Sequence, residues 1–258
     1  MQLYLAATPD HLQENLALTP HLAHVAFRVG EDGTLLTRFL PPALRGGVMV
    51  LQCEELFPVS AVERLSCEVL RTCIHRNFSG VVLDAPDSPS PSTLALAQQL
   101  QKLCEQYQRR LYLPECYAQA VPEASVLICT ALSGGSLQQR LQEAVEQYDT
   151  SRIALDLQRL AMEFPLPCPT GEGAPLGIDE LRRRASTHAI YYCDALCARY
   201  FTCRCGGKTH FVLFDDAETL RRKMELAEAM GITEAFVVWP EVGDIVQALF
   251  DKKKEGEP

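Results

Sequence analysis

Ionisable residues that close apolar runs are where this chain could do chemistry. Val81-Val82-Leu83 runs into Asp84, a carboxylate at the end of a stretch with no other reason to meet water. Such a group either accepts backbone N–H groups as a turn cap before Pro86, or faces a pocket where it can orient a ligand or move a proton. Leu111-Tyr112-Leu113-Pro114 runs likewise into Glu115, which reads as a second carboxylate for acid–base work or as a solvated loop residue. Asp156 follows Ile153-Ala154-Leu155, with Gln158 and Arg159 just beyond; Asp156 and Arg159 can bind a polar ligand group or pair with each other. Trp239, the only tryptophan, ends Phe236-Val237-Val238 and is followed by Glu241. Its ring can floor a binding site or simply be buried before Pro240. Arg28, Gln52, Glu54, Asp87 and Thr130 complete the polar residues in such places.

Cys193, Cys197, Cys203, Cys205 and His210 form the densest group of metal-ligand types. A structural zinc wants two close pairs at defined spacing, and C-x-C is too tight for the standard knuckle. A zinc clip, a disulfide and simple packing are all open; packing is the expectation, because free cysteine behaves as a small hydrophobe. No metal and no cofactor is expected. The histidines show no H-E-x-x-H spacing, and Gly134-Gly135-Ser136 lacks the P-loop lysine and reads as a turn with a serine cap. There is no G-x-S-x-G elbow and no dinucleotide fingerprint.

The elements that would hold these residues are short apolar runs: Gln2–Ala7, Leu22–Val29, Gly47–Cys53, Gly80–Ala85, Arg110–Glu115, Ser125–Thr130, Arg152–Leu157 and Ala235–Trp239. Several are apolar almost throughout, as strands buried on both faces of a parallel sheet must be. Helical periodicity fills many of the gaps, at Ser60–Arg76, Ser92–Tyr107, Ser136–Tyr148 and Ala217–Met230, the last capped by Asp216 and stopped by Gly231. A final helix is expected over Val242–Lys253. The connections after the second and fifth runs are proline-rich and too short for full helices.

Eight strands in βα order predict a (β/α)8 TIM barrel with irregular helices, whose functional groups lie at the C-terminal strand ends. The long connection over residues 158–214 is expected as an insertion: a proline-rich loop, then a β-hairpin over Arg199–Phe214 between strands seven and eight. Residues 1–258 are read as one domain containing it.

Lys plus Arg is 24 and Asp plus Glu is 33, a net charge of -9. That argues against nucleic acid or an anionic membrane as partner. The first residues lack a basic signal-peptide start. Eleven cysteines, an odd number scattered through the chain, then suggest free thiols in the cytoplasm.

In this order the pieces resemble glycoside hydrolase family 18, the chitinase-like barrels. His24-Val25-Ala26-Phe27 followed by Glu31-Asp32-Gly33-Thr34-Leu35 is similar to that family's second strand and its Asp-Gly turn. Phe78-Ser79-Gly80-Val81-Val82-Leu83-Asp84-Ala85-Pro86 resembles the fourth-strand catalytic segment, F-D-G-x-D-x-D-x-E. Phe214-Asp215-Asp216 and the helix after it resemble the segment before the last helix, and Gly231 through Trp239 resembles the eighth strand. The likeness runs through most of the chain and is strongest from Tyr191 to Trp239.

The departures are chemical. The family's general acid aligns with Pro86, its first motif aspartate with Ser79 and its middle one with Val82, leaving Asp84 alone. The third strand ends Leu51-Gln52-Cys53-Glu54 instead of in two glycines. By the resemblance, Asp84 would assist a substrate N-acetyl group and Trp239 would floor a sugar site, but the acid worth about 10²–10⁴-fold is missing. Three readings follow. One is a non-catalytic barrel binding a carbohydrate or a protein partner at its mouth, through Trp239, Arg28, Gln52, Asp156 and Glu241 as well as Asp84. Another is an active O-glycosyl hydrolase with a relocated acid such as Glu115 or Asp87. The third, by analogy with family members in spore coats, is a spore-associated structural protein.

Overall fold

The computed structural model describes residues 1–19, 21–54 and 56–250. Eight parallel strands close into a barrel: β1 Gln2–Ala7, β2 Leu22–Val29, β3 Val48–Gln52, β4 Gly80–Asp84, β5 Arg110–Pro114, β6 Ser125–Cys129, β7 Ile153–Asp156 and β8 Glu234–Val238. Closure is the pairing of β1 with both β8 and β2. The apolar runs thus become strands within a residue or two of their expected ends.

Side chains alternate across each strand. Leu3, Leu5, Val81, Leu83, Ile153, Leu155, Ala235 and Val237 point outward into two large apolar clusters under the helices. Tyr4, Val48, Val50, Val82, Tyr112, Ala154 and Phe236 point inward and fill the barrel. The rings of Tyr4 and Phe236 stack at 4.8 Å and Tyr112 meets Phe236 edge-on at 5.0 Å. Below them, Glu234 pairs with Arg110 at 2.6 Å and accepts the Tyr112 hydroxyl at 3.1 Å.

The helices are α1 Leu12–Leu18, α2 Val62–His75, α3 Pro91–Gln106, α4 Leu137–Gln147, α5 Ile178–Ala185 and α6 Ala217–Ala229. Ser90, Ser136 and Asp216 cap α3, α4 and α6 by accepting N–H groups, and Thr219 completes a capping box with Asp216. As expected, neither β2 nor β5 is followed by a full helix: β2 leads into a turn and a short strand, Leu35–Thr37, and β5 into a single turn, Glu115–Tyr117. The helix expected over Val242–Lys253 is corrected to two short pieces, Trp239–Val242 and Val246–Phe250; residues from 251 on lie outside the described ones. Gly243 separates the pieces, and the carboxylate of Asp244 is held by Arg182 at 2.5 Å and by Arg159.

The insertion is more than a loop and a hairpin. It is a five-stranded antiparallel sheet in the order Ala174–Pro175, Ala161–Leu166, Lys208–Phe214, Ala198–Cys205, Tyr191–Cys193. The expected hairpin is its centre. The proline-rich stretch expected as a loop supplies Ala161–Leu166, because Pro165 pairs with His210 where Ala174–Pro175 no longer covers the other side of the strand. Leu176 and Leu181 pack with Phe201, Cys203, Val212 and Phe214 on one face.

Candidate functional site

At the C-terminal end of the barrel the inward layer turns polar. The apolar layer of Val50, Val82 and Ala154 is followed, two residues along each strand, by Gln52, Asp84 and Asp156. Gln52 is the parallel partner of Asp84, and Cys129 of Asp156. Asp84 is open to solvent, with the Gln52 side chain beside it on the neighbouring strand. The surrounding protein and the charge of Glu54 push it up from the ordinary carboxylate value, against the pull of the neighbouring Gln52 amide. No backbone N–H bonds its side chain among the described residues, so the structure shows no turn cap at Asp84.

Asp156 is half-buried. Gln158 Nε2 donates to its Oδ2 at 2.7 Å. Burial raises it to about 6, with Glu241 and Asp84 adding repulsion and the Gln158 bond opposing. Two carboxylates at the C-terminal ends of barrel strands, each pushed toward the neutral form, can exchange hydrogen bonds with hydroxyl groups either as acceptors or, when protonated, as donors. Of the two alternatives for Asp156 and Arg159, pairing with each other is not seen. Arg159 instead engages Glu241, donating from its backbone N–H to Glu241 Oε2 at 3.0 Å and from Nη1 to the Glu241 carbonyl at 2.9 Å.

Two sequence-predicted residues lie elsewhere. Trp239 stands at the end of β8, but its ring packs against the outer apolar cluster, 5.7 Å from the ring of His11. The expectation that it faces the central cavity is corrected. With Phe236 pointing inward and Val237 outward, strand alternation sends residue 239 outward. Glu115 is held by Arg140 of α4, beside a crevice lined by Gln147 and Tyr148. That ion pair occupies the Glu115 carboxylate and ties the turn after β5 to α4.

Arg28 and Gln52 line a groove of about 350 Å³ with Glu54, Leu36, Thr37 and Arg38. Arg38 is a residue that spacing alone does not single out; the Asp32-Gly33 turn, which sets the register of the strand after it, is the signal that could have found it. The second residue missed is Lys223. Its ammonium is fully buried against fully buried Asp215, Nζ to Oδ2 2.7 Å, and donates to the Thr130 carbonyl at 3.1 Å. Leu160 N–H and Thr219 Oγ1 complete the Asp215 carboxylate at 3.0 and 2.8 Å. This network ties the insertion and α6 to the end of β6, behind the mouth. Among the described residues no group of three or more His, Cys, Asp or Glu could hold a metal ion, and all eleven cysteines are free. Within the cysteine-rich segment Cys203 is buried and Cys205 exposed.

No protein-family model matches this chain, and no curated protein matches it either. Solved structures do. The C-terminal domain of a putative chitinase from Desulfitobacterium hafniense superposes with a TM-score of 0.70 at 14% identity, over 97% of each chain. This is a chitinase-like barrel fold. The spore cortex-lytic enzyme SleL of Bacillus megaterium gives 0.68 at 16% identity over 96% of this chain and 72% of its own. Human YKL-39, a pseudo-chitinase with retained chitooligosaccharide binding, gives 0.65 at 11% identity over 96% of this chain and 98% of its own. At such identities the likeness shows the fold alone. No helix among the described residues is long and apolar enough to cross a membrane.

Proposed function

We propose that this chain binds a carbohydrate at the C-terminal mouth of its barrel without hydrolysing it. The observation that carries the reading is the polar inner layer of Gln52, Asp84 and Asp156 above a filled apolar barrel. Amide and carboxylate groups recognise sugar hydroxyls by paired donation and acceptance. The position two residues beyond Asp84 is Pro86, which has no proton to give. YKL-39 is a precedent on this fold for sugar binding that outlives hydrolysis. The test is a glycan-array screen followed by a hydrolysis assay on every hit, with Asp84→Asn alongside. Binding without product release supports the reading; N-acetylglucosamine released from a chito-oligosaccharide and abolished by Asp84→Asn overturns it.

A second reading is an active hydrolase with Asp156 as the acid: it ends the strand β7 at the same end of the barrel as Asp84, and burial with the charges of Glu241 and Asp84 raises it to about 6. In that case Asp156→Asn abolishes product release while leaving binding in place.

A further inference from the structure

We propose that the carbohydrate bound at this mouth is acidic: a saccharide whose carboxylate is received by Arg28 and Arg38. The inference rests on the carbohydrate reading above and narrows it to a ligand class.

The argument begins with the turn after β2. Gly33 adopts φ +73, a left-handed conformation that glycine takes without strain, and Asp32 accepts the Thr34 N–H at 3.0 Å. This closes a tight loop, Gly30 N–H to the Thr34 carbonyl at 2.9 Å, and fixes how the returning strand lies on β2. Arg28 then faces Leu36 across the ladder, and the Arg38 N–H donates to the Ala26 carbonyl at 2.7 Å. Arg28 and Arg38 are diagonal neighbours on one face, about 7–8 Å apart. On its other side Arg28 is the register partner of Gln52, and Gln52 of Asp84. One row therefore crosses four adjacent strands, from Leu36 through Arg28 and Gln52 to Asp84. Along that row the groove adjoins the carboxylate mouth, with Gln52 between them.

The charge in that groove is out of keeping with the rest of the molecule. The chain carries a net charge of -9. Its other arginines are mostly engaged: Arg110 with Glu234, Arg140 with Glu115, Arg184 with Glu163 and Glu180, Arg199 with Asp216 and Glu218. Arg28 and Arg38 are exposed, and among the described residues neither guanidinium has a hydrogen-bond or ion-pair partner. Both line the same groove, with Glu54 beside them. At about 350 Å³ the groove falls within the ordinary range of small-molecule sites, about 300–1,000 Å³. Paired guanidiniums recognise planar carboxylates by charge-assisted, bidentate bonds. Gln52 and Asp84, next along the row, are placed to take the hydroxyls of the same ligand.

The test is calorimetric titration of the full chain with matched pairs: a hexuronate tetramer, a sialylated trisaccharide and an N-acetylmuramyl disaccharide, each beside its carboxyl-esterified form, with chitotetraose as a neutral reference. At least one acid is expected to bind about tenfold or more tighter than its ester at low salt. That advantage should shrink as salt is raised, fall in Arg28→Gln and in Arg38→Gln, and vanish in the double variant. If acid and ester bind alike, or the double variant keeps the preference, the inference is overturned while the carbohydrate reading stands. If no saccharide binds at all, both fall together.

Discussion

Removing the ammonium of Lys223 should be the most damaging single change in this barrel away from its apolar core. Lys223 and Asp215 are both fully buried. The Asp215 carboxylate accepts from Lys223, Leu160 N–H and Thr219, and Lys223 also serves the Thr130 carbonyl. In Lys223→Met the volume is kept, but Asp215 is left charged in the interior with two donors in place of three. Breaking one side of such a pair costs about 3–5 kcal/mol. For a domain of this size each kcal/mol moves Tm by roughly 2–4 °C, so the expected loss is on the order of 6–20 °C. The pH dependence identifies the cause. Burial raises Asp215 above its unfolded value even with Lys223 pulling it down, and without Lys223 it rises further. A carboxylate raised in the folded state binds its proton more tightly there, so the cost is small at low pH and grows as pH rises through the folded value. Denaturant melts of Lys223→Met and wild type at pH 5 and pH 8 should therefore diverge at the higher pH. Asp215→Asn/Lys223→Met, which buries no charge, should recover at least half of the loss. A loss below about 1 kcal/mol at pH 8, or one that does not change with pH, refutes the reasoning.

Asp84→Ala should melt no lower than wild type, because the side chain caps nothing and is itself pushed toward the neutral form; a Tm lower by several degrees would mean a structural role. Asp156 is raised to about 6, so the stability it withholds is absent below the unfolded carboxylate value and appears between pH 4 and pH 7. Asp156→Asn should match wild type near pH 4 and exceed it at pH 8 by on the order of 1–3 kcal/mol, as read by urea denaturation; equal curves at both pH values count against it. Thiol labelling of the denatured chain should titrate close to all eleven cysteines, whereas a persistent shortfall of two or four would mean a disulfide.

How far the sequence discloses this molecule depends on whether a feature is local. The eight barrel strands are legible because burial on both faces forces runs such as Val48-Met49-Val50-Leu51. Gln52, Asp84 and Asp156 are legible as polar ends of those runs. The sheet of the insertion is not, because Pro165 and Pro167 read locally as punctuation, and only pairing with the distant Lys208–Phe214 makes Ala161–Leu166 a strand. Trp239 is misplaced for a one-residue reason: the parity of β8, set by Phe236 in the barrel interior, sends it outward. Lys223 sits at helical spacing from Leu220 and Ala227 on the buried stripe of α6, but its charge argues against burial until Asp215 is seen beside it. Arg38 needs the register of a hairpin before it joins Arg28.

The segment around β4 shows how a barrel of this kind can keep its fold with little of the chemistry that the family resemblance would place there. Strand alternation turns residues 80, 82 and 84 inward. Val82 is buried in the interior cluster with Val48, Val50 and Phe236, where burying such a side chain contributes about 1.5–3 kcal/mol and an aspartate would be desolvated at a cost. Ser79 Oγ donates to the Gly47 carbonyl at 3.1 Å and helps join β4 to the start of β3. The Pro86 carbonyl accepts the hydroxyl of buried Tyr117 at 3.1 Å, which satisfies that hydroxyl and anchors the chain beyond Asp84 through its backbone. At each position where the resemblance expects an acid, other than Asp84, the residue present serves packing or hydrogen bonding. The apolar clusters outside the barrel owe nothing to the mouth, so exchanging poorly compensated carboxylates for residues of this kind stabilises the scaffold. Asp84 and Asp156, raised and only partly compensated, contribute little to holding the fold, which is why the proposed ligand site is placed at the mouth where they lie.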